Sequence, residues 1–297
     1  MTIAEVGKKY GLLKCFIPMF IMGLLVIQIV HPEEDTIMND GNIQRPDENF
    51  SLGLNIKFNF LGYGSQDTTL ISNSPVFLGL SFSYKDYGAS FSIAQSYTYV
   101  KTPGKHTAFD VNLAFYQYHW FEELSVKFYD DFLENDQPFG MEFISGNLQG
   151  GYIFNADNFS LQSAYTMNRI QKSSAGSLIA GGNIRLSTIK SNDIEYYNNR
   201  NWLINLGPNI GYSYTFVSKK YLFLNMFLLC GANVGINCNK PSVLFSPYIV
   251  PKIAIGKHNK TWSINFVLEV NFLAFVSGER QEYFNYDAAT LGFVKRF

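Results

Sequence analysis

The chain carries four histidines, the residue type that most often serves as a general base beside a nucleophile. They are His31, His106, His119 and His258. A histidine could therefore be the base of a lipid hydrolase or acyltransferase, which also needs a nucleophile and a group that orients the base. No histidine lies in a clear strand with a serine or aspartate two or four positions away on the same face. We therefore predict rim or surface histidines and no enzyme. His119, followed by Glu122 and Glu123, is the best remaining candidate.

The segment Gln171–Ser177 suggests a second kind of chemistry. Gly176 and its neighbouring serines could form a tight loop whose backbone N–H groups hold an anion, with Lys172 adding charge. The segment lacks the lysine spacing of a phosphate-binding loop. The favoured interpretation is a Ser/Gly turn between two strands, in which Gly176 supplies an unusual backbone angle.

Cysteine spacing gives no indication of a metal or a redox centre. Cys230 falls in an apolar strand and Cys238 in the loop beyond it. A disulfide requires Cα atoms about 4.4–6.8 Å apart, so the strand would have to turn back sharply at Gly235. We predict that both are unpaired. No CxxC pair or Cys/His cluster is present, and we predict no metal and no cofactor.

Composition points to a membrane protein built from strands. The chain has 297 residues and a net charge of -1, with 16% charged and 16% aromatic residues. Abundant Phe and Tyr suit a barrel whose outer face meets lipid and whose rims carry aromatic girdles. A nucleic-acid partner would call for a basic stripe, which the sequence lacks.

From Ser51 onward, apolar residues recur at every second position. Leu52, Leu54, Ile56, Phe58 and Phe60 share one face, and small or polar residues occupy the other. The same alternation recurs over 75–85, 88–100, 202–216 and 261–275. Sustained alternation indicates strands. Large apolar residues outside and small polar residues inside are typical of an antiparallel transmembrane β-barrel.

Thirteen segments qualify as strands, and we predict a barrel of about 12, within a range of 10–14. A bacterial barrel with both termini in the periplasm needs an even number of strands, so one candidate is wrong or one is missed. The pattern is weakest over 108–154. The candidates are 51–61, 75–85, 88–100, 108–117, 122–130, 142–154, 159–169, 177–188, 202–216, 221–236, 246–256, 261–275 and 286–297.

Alternation places three charged residues in the lumen, namely Lys57, Arg185 and Glu269. Two interpretations stay open, because buried charges that pair with one another fix the shape of a lumen as readily as they bind a solute. The small inward residues leave space for water, for the segment that precedes the barrel or for a ligand.

The last strand, Tyr286 to Phe297, has the form of an insertion signal. Ala289, Leu291, Phe293 and Phe297 share one face, and the chain ends on an aromatic residue. We predict that Leu291, Phe293 and Phe297 are recognised by the barrel assembly machinery. Outer-membrane lipid would then be the other partner of the barrel.

The N-terminal part divides into two predicted segments ahead of the barrel at 51–297. Lys8, Lys9 and Lys14 precede an apolar run, Phe16 to Val30, that is shorter than the roughly 20 residues of a spanning helix. Residues 1–30 are therefore a predicted signal peptide, with an uncleaved anchor as the alternative. Residues 31–50 are acidic and contain Pro32 and Pro46; we predict a periplasmic leader or a plug inside the lumen.

Several segments, taken in order, resemble a bacterial family catalogued as domain of unknown function 4421. The resemblance covers most of the chain after residue 50 and implies an outer-membrane barrel of a Gram-negative bacterium, without implying an activity. It is carried by Leu78–Lys85, by Phe154-Asn155 with Gln171–Leu178 and Gly181-Gly182, by Gly207–Thr215 with Lys219–Tyr221, and by Gly256–Ile264.

Three functions are consistent with these patterns. A passive pore or uptake barrel is favoured by a small polar lumen. A structural or assembly component, binding a periplasmic or membrane protein partner, is favoured by short loops and by the lack of a charged eyelet. A lipid-modifying barrel enzyme would require His119 to lie beside a serine.

Overall fold

A computed structural model describes residues 41–46, 48–64, 69–94, 107–130, 132–191, 201–239, 242–277 and 280–297. His31, His106, the predicted signal peptide and residues 31–40 of the predicted leader lie outside these ranges. Among the described residues, no helix is both long enough and apolar enough to cross a bilayer.

The described chain consists of strands, with one short helix between two of them. The helix is α1 (Leu161–Ala164). The strands are β1 (Ile43–Gln44), β2 (Phe50–Gly64), β3 (Thr69–Ser72), β4 (Val76–Tyr84), β5 (Tyr87–Ala94), β6 (Ala108–Tyr116), β7 (Trp120–Tyr129), β8 (Phe132–Glu134), β9 (Gln137–Phe139), β10 (Met141–Ile153), β11 (Ile170–Gln171), β12 (Ala175–Ser191), β13 (Asn201–Val217), β14 (Leu222–Asn237), β15 (Ser242–His258), β16 (Trp262–Ser277) and β17 (Arg280–Arg296).

Twelve of these strands form a closed antiparallel barrel, which confirms the predicted fold class and strand number. Around the barrel they run β2, β4, β5, β6, β7, β10 and then β12 to β17, and β17 pairs with β2 to close the ring. Every barrel strand pairs with its neighbours in sequence, apart from the closing pair. Closure leaves no strand edge open to lipid, as a membrane barrel requires.

The two ends of the barrel differ in their connections. The terminal end, where β2 begins and β17 finishes, carries tight turns such as Lys85-Asp86 between β4 and β5. The opposite end, here called the loop end, carries several longer links, and one long link, between β10 and β12, lies at the terminal end. There β3, β8 and β9 extend the sheet beyond β2. The links at 95–106 and 192–200 lie outside the described residues.

The outer face of the barrel is apolar, as the alternation predicts. Leu54 is 61% exposed and Leu80 is 63% exposed, whereas Gly53 and Gly79, next to them in sequence, are buried. Leu206 and Ile255 on the far side of the ring are 61% and 55% exposed. Such side chains have no protein contact over much of their surface, and the acyl chains of a bilayer are the environment that suits them.

One of the thirteen predicted strands is wrong. Residues 159–169 form α1 and its flanking turns within the connection from β10 to β12. Phe159, Leu161 and Ala164 are buried there at 4% exposure or less. Their apolar spacing arises from packing inside the barrel rather than from contact with lipid, and sequence alternation alone does not separate the two. The weakly patterned region 108–154 does form three barrel strands, β6, β7 and β10.

Candidate lumen site

The inward face carries large aromatic side chains as well as small residues. The sequence predicted the small residues and not the aromatic ones. Phe143 on β10 stacks on Phe284 on β17 with ring centroids 4.8 Å apart, and Phe284 also contacts Tyr63 at 5.0 Å. β10 and β17 lie on opposite sides of the ring. A direct contact between them therefore shows that aromatic packing crosses the lumen near the loop end.

The terminal end of the lumen is occupied by the connection between β10 and β12. We call residues 154–174 the plug. The Tyr165 hydroxyl donates to Asn225 Oδ1 at 2.6 Å, and Asn265 Nδ2 donates to the Ala164 carbonyl at 2.8 Å. Arg296 Nη2 donates to the Met167 carbonyl at 2.6 Å. These contacts tie the plug to β14, β16 and β17.

Tyr165 is the residue of the plug that reaches the acidic side chains of the lumen. Burial raises the pKa of its hydroxyl well above the ordinary value of 10, and the carboxylates of Glu269 and Glu123 add to this shift. The hydroxyl therefore stays protonated and remains a hydrogen-bond donor. Its ring packs edge-on against Phe227 at 6.3 Å.

Asp86, in the turn between β4 and β5, joins the plug to the segment before the barrel. One of its carboxylate oxygens accepts from Arg45 Nη2 at 2.7 Å, and the other pairs with Arg169 of the plug. Alongside, Ile43 and Gln44 of β1 pair with Gln171 and Ile170 of β11. We call Arg45, Asp86 and Arg169 the Asp86 lock, since one carboxylate holds two separate segments.

Between the plug and the aromatic layer lies a cavity of about 370 Å³. Its charged lining side chains are Lys57, Glu123, Lys127, Arg185, Lys252 and Glu269. Serines and asparagines from β2, β4, β5 and β10 supply most of the remaining polar surface, and Phe143, Phe227 and Leu273 supply apolar surface. All three predicted lumen charges, Lys57, Arg185 and Glu269, line this cavity.

One side of the cavity is built around Asp110, which is fully buried. Its Oδ2 accepts from Lys57 Nζ at 2.5 Å and from the Tyr286 hydroxyl at 3.0 Å, and it lies 3.8 Å from Lys127 Nζ. Lys127 also sits over the Tyr286 ring, 3.3 Å from its centroid, which is a cation–π contact. We call Lys57, Asp110, Lys127 and Tyr286 the Asp110 cluster.

A second cluster surrounds Glu269. Lys252 Nζ lies 3.1 Å from Glu269 Oε2, and Asn271 Nδ2 donates to Glu269 Oε1 at 2.5 Å. Glu123 accepts a hydrogen bond from the Tyr116 hydroxyl. The sequence analysis did not identify Asp110, Lys127 and Lys252, and it named Glu123 only as a neighbour of His119. The alternation of β6, β7 and β15 would have placed all four inward.

Arg185 differs from the lysines of the cavity because none of the described carboxylates pairs with it. Its Cα lies opposite Asn147 on β10 and Asn205 on β13. Its buried Nε has no hydrogen-bond partner, and among the described residues its guanidinium forms no hydrogen bond or ion pair. The sequence left open whether the three predicted lumen charges pair within the barrel or bind a solute. In the structure Lys57 and Glu269 are paired, whereas Arg185 has no partner among the described residues.

His258 lies at the rim, as predicted, but it is buried rather than exposed. It is 3% exposed, and its Nδ1 lies 2.9 Å from Ser263 Oγ across the turn between β15 and β16. Arg296 Nη2 donates to the same hydroxyl at 2.5 Å. Spacing within one strand missed this pair because the two residues meet across a hairpin. Ser263 is fully buried, so its hydroxyl offers no access to a lipid substrate.

The other sequence candidates for chemistry are placed in structural roles. His119 stacks on Tyr152, and its Nδ1 lies 3.1 Å from the Ile153 carbonyl oxygen, in the turn before β7. Residues 172–174 form the link between β11 and β12, as the favoured interpretation of Gln171–Ser177 has it, whereas Gly176 lies inside β12 and not in the turn. Among the described residues, no group of three or more His, Cys, Asp and Glu side chains is arranged to hold a metal ion.

The predicted insertion signal lies on the outer face of β17. Leu291 is 46% exposed, Phe293 is 42% exposed and Phe297 is 62% exposed. The Phe297 N–H donates to the Phe50 carbonyl at 2.9 Å, so the final residue extends the closing pair of strands. Recognition of these residues by the assembly machinery stays a prediction.

With this geometry in view, comparison by sequence gives one family. The profile described as "Domain of unknown function (DUF4421)" matches residues 43–285. The chain belongs to this family. The match confirms the resemblance found in the sequence, and it includes the plug and both sides of the cavity. No curated protein matches the sequence.

Comparison by structure gives barrels of bacterial outer-membrane proteins. The β domain of the Bordetella autotransporter BrkA is 9% identical, with a TM-score of 0.40, and the match covers 84% of this chain and 100% of that one. The outer-membrane expressed OmpT of Vibrio cholerae is 6% identical, with a TM-score of 0.34, covering 89% and 100%. The KdgM porin in complex with disordered oligogalacturonate is 9% identical, with a TM-score of 0.30, covering 81% and 99%.

Proposed function

We propose that this DUF4421 member is a gated solute barrel of the bacterial outer membrane, closed in this conformation by the plug. The observation that carries the proposal is a polar, charged cavity of about 370 Å³ in the lumen, with the plug at its terminal end. Of the six charged side chains around this volume, Arg185 pairs with none of the described residues, and a barrel with a purely structural role gains nothing from an unpaired buried charge, which costs free energy. We place both termini, and hence the plug, on the periplasmic side.

The Asp86 lock is the proposed gate. Arg169 belongs to the plug, Arg45 to the segment before the barrel, and Asp86 to the barrel wall. Removing the charge of the carboxylate breaks both of these ion pairs, and the plug then keeps its hydrogen bonds to Asn225, Asn265 and Arg296. A partner that draws residues 41–46 away from β11 would weaken the same contacts.

Single-channel conductance in a planar bilayer tests this proposal. We expect the wild-type chain to be mostly closed and Asp86→Asn to give discrete, frequent openings, since the substitution keeps the shape of the side chain and removes its charge. Asp136→Asn is the matched control: Asp136 lies exposed in the turn between β8 and β9 and should leave the closed state unchanged.

Folding is checked in the same samples by comparing heated and unheated migration in detergent gels. If the wild type and Asp86→Asn both migrate as folded barrels and neither conducts, the pore is refuted. The alternative is then a non-conducting barrel that binds a periplasmic or membrane protein. The aromatic contact of Phe143 with Phe284 across the lumen favours that alternative.

Assembly through the last strand is a separate part of the proposal. Deleting Phe297 should lower the amount of protein in the outer membrane, because the final aromatic residue is the expected contact for the assembly machinery. Phe216→Ala is the control, since Phe216 is another exposed aromatic residue near the terminal end, 50% exposed on β13. An equal loss of surface protein in both variants would remove the argument for a terminal signal. We do not assign an enzymatic activity to this barrel.

A further inference from the structure

We propose that the lumen cavity binds a small organic anion through a single carboxylate, and that Arg185 is the residue that holds it. This inference names the class of solute that the proposed pore would carry. Transport of that solute rests on the proposed function, whereas binding does not, because binding can take place in a closed barrel. The observation behind it is a buried guanidinium on the cavity wall to which the described residues offer no counter-charge.

The balance of charge around the cavity leaves one positive charge over. Lys57 and Lys127 share the carboxylate of Asp110, and Lys252 pairs with Glu269. Glu123 accepts from the neutral Tyr116 hydroxyl. Four cations thus face three carboxylates. Isolated buried ions are strongly disfavoured, so an anion from solution is the expected partner of the remaining charge.

The surroundings of Arg185 favour an anion over a structural partner. Asn205, directly opposite on β13, is 1% exposed, and its Nδ2 has no hydrogen-bond partner. Its Oδ1 is already occupied by Ser246 Oγ at 3.0 Å, so the free group is a donor. Arg185 lines the cavity whereas Asn205 does not, so the guanidinium is the donor that can reach a ligand, and guanidinium binds a carboxylate with two parallel hydrogen bonds.

The rest of the cavity fixes the kind of molecule. Its volume of about 370 Å³ falls at the small end of ligand pockets. Phe143, Phe227 and Leu273 add apolar surface to its wall. One surplus positive charge matches one negative charge. A monocarboxylate with a small aromatic or aliphatic body satisfies all three conditions better than a multiply charged anion.

Equilibrium dialysis with labelled benzoate tests the inference directly. The protein is refolded in the presence of the probe, so that access past the plug does not limit binding. We expect saturable binding of about one benzoate per barrel, weaker binding of inorganic phosphate, and no binding of benzamide, which has the same shape without the charge. Arg185→Gln should weaken benzoate binding at least tenfold.

The matched control is Lys190→Gln, which removes one positive charge from the same strand. Lys190 is 42% exposed and lies 4.0 Å from Glu142 at the loop end, away from the cavity. Benzoate binding should be unchanged in this variant. Each sample is checked by heat-dependent gel migration, so that only folded barrels are compared.

Two results would overturn the inference: folded wild-type protein that binds no benzoate or phosphate, or binding that is equal in the wild type and in Arg185→Gln. These outcomes are distinct from failure of the pore. Binding of benzoate without conductance in Asp86→Asn refutes the pore and supports the anion site. Conductance without binding of benzoate supports the pore and refutes the anion site.

Discussion

On the wall formed by β2, β6 and β7, two lysines share the carboxylate of Asp110, whereas on the wall formed by β10, β12 and β13 the residues opposite Arg185 are two asparagines. Both walls bury positive charge inside the same lumen. The first supplies its own counter-charge, a hydroxyl and an aromatic face, and it resembles a structural cluster. The second leaves a guanidinium open to the cavity. The contrast distinguishes charges that are paired within the barrel from a charge that has no described partner and lines the cavity.

The largest expected effect comes from removing the shared carboxylate. Asp110→Asn leaves Lys57 and Lys127 buried without a counter-charge, and breaking a buried pair in this way costs about 3–5 kcal/mol. The measurement is urea unfolding of the refolded barrel in lipid vesicles, followed by tryptophan fluorescence. Asp136→Asn at the exposed turn is the control. If both variants unfold at the same urea concentration, the Asp110 cluster does not stabilise the barrel.

A smaller loss is expected from Tyr286→Phe. The substitution removes the hydroxyl that donates to Asp110 Oδ2 at 3.0 Å, and it keeps the ring beneath Lys127. We expect a loss of about 0.5–3 kcal/mol, the range for one hydrogen bond to a charged group and for the polar atoms left behind. The same urea unfolding measures it. A loss as large as that of Asp110→Asn would mean that the ring position, rather than the carboxylate, organises this wall.

The smallest effect, with the opposite sign, is expected from Arg185→Met in the absence of ligand. Methionine replaces a buried charge that has no partner among the described residues, so the free energy of unfolding should stay within about 1 kcal/mol of wild type or rise. Adding benzoate should stabilise the wild type, by about 2.7 kcal/mol at one hundred times the dissociation constant, and leave Arg185→Met unchanged. A clear destabilisation of Arg185→Met without ligand would show that the guanidinium pairs within the chain.

The sequence predicted some of the charged residues that face the lumen but not how they pair. Alternation placed Lys57, Arg185 and Glu269 inside because successive side chains of a strand point to opposite faces. It could not say which of them is paired, since Asp110 approaches Lys57 from a strand distant in the sequence, and Lys252 meets Glu269 only in the register that the β15–β16 hairpin sets. The His258–Ser263 pair was missed for a related reason: the two residues meet across a hairpin.

The plug shows a different limit. Residues 159–169 have apolar residues at spacings that a strand would also show, and the sequence therefore predicted a thirteenth strand. In the structure, Phe159 and Leu161 face the interior from a short helix and its turns. Buried apolar residues and lipid-facing apolar residues obey the same pattern, because lipid and a protein core exclude water equally.

The sequence by itself determined the barrel: its class, its twelve strands and its apolar outer face follow from a period of two sustained across the chain, which the bilayer makes obligatory. The tertiary structure decided what fills the lumen. The pairing of Asp110 with Lys57, the lock at Asp86 and the aromatic contact between opposite strands depend on distances between segments far apart in the sequence, and so does the lack of a partner for Arg185 among the described residues. Those distances arise only when the ring closes, because closure sets which inward side chains meet across the lumen.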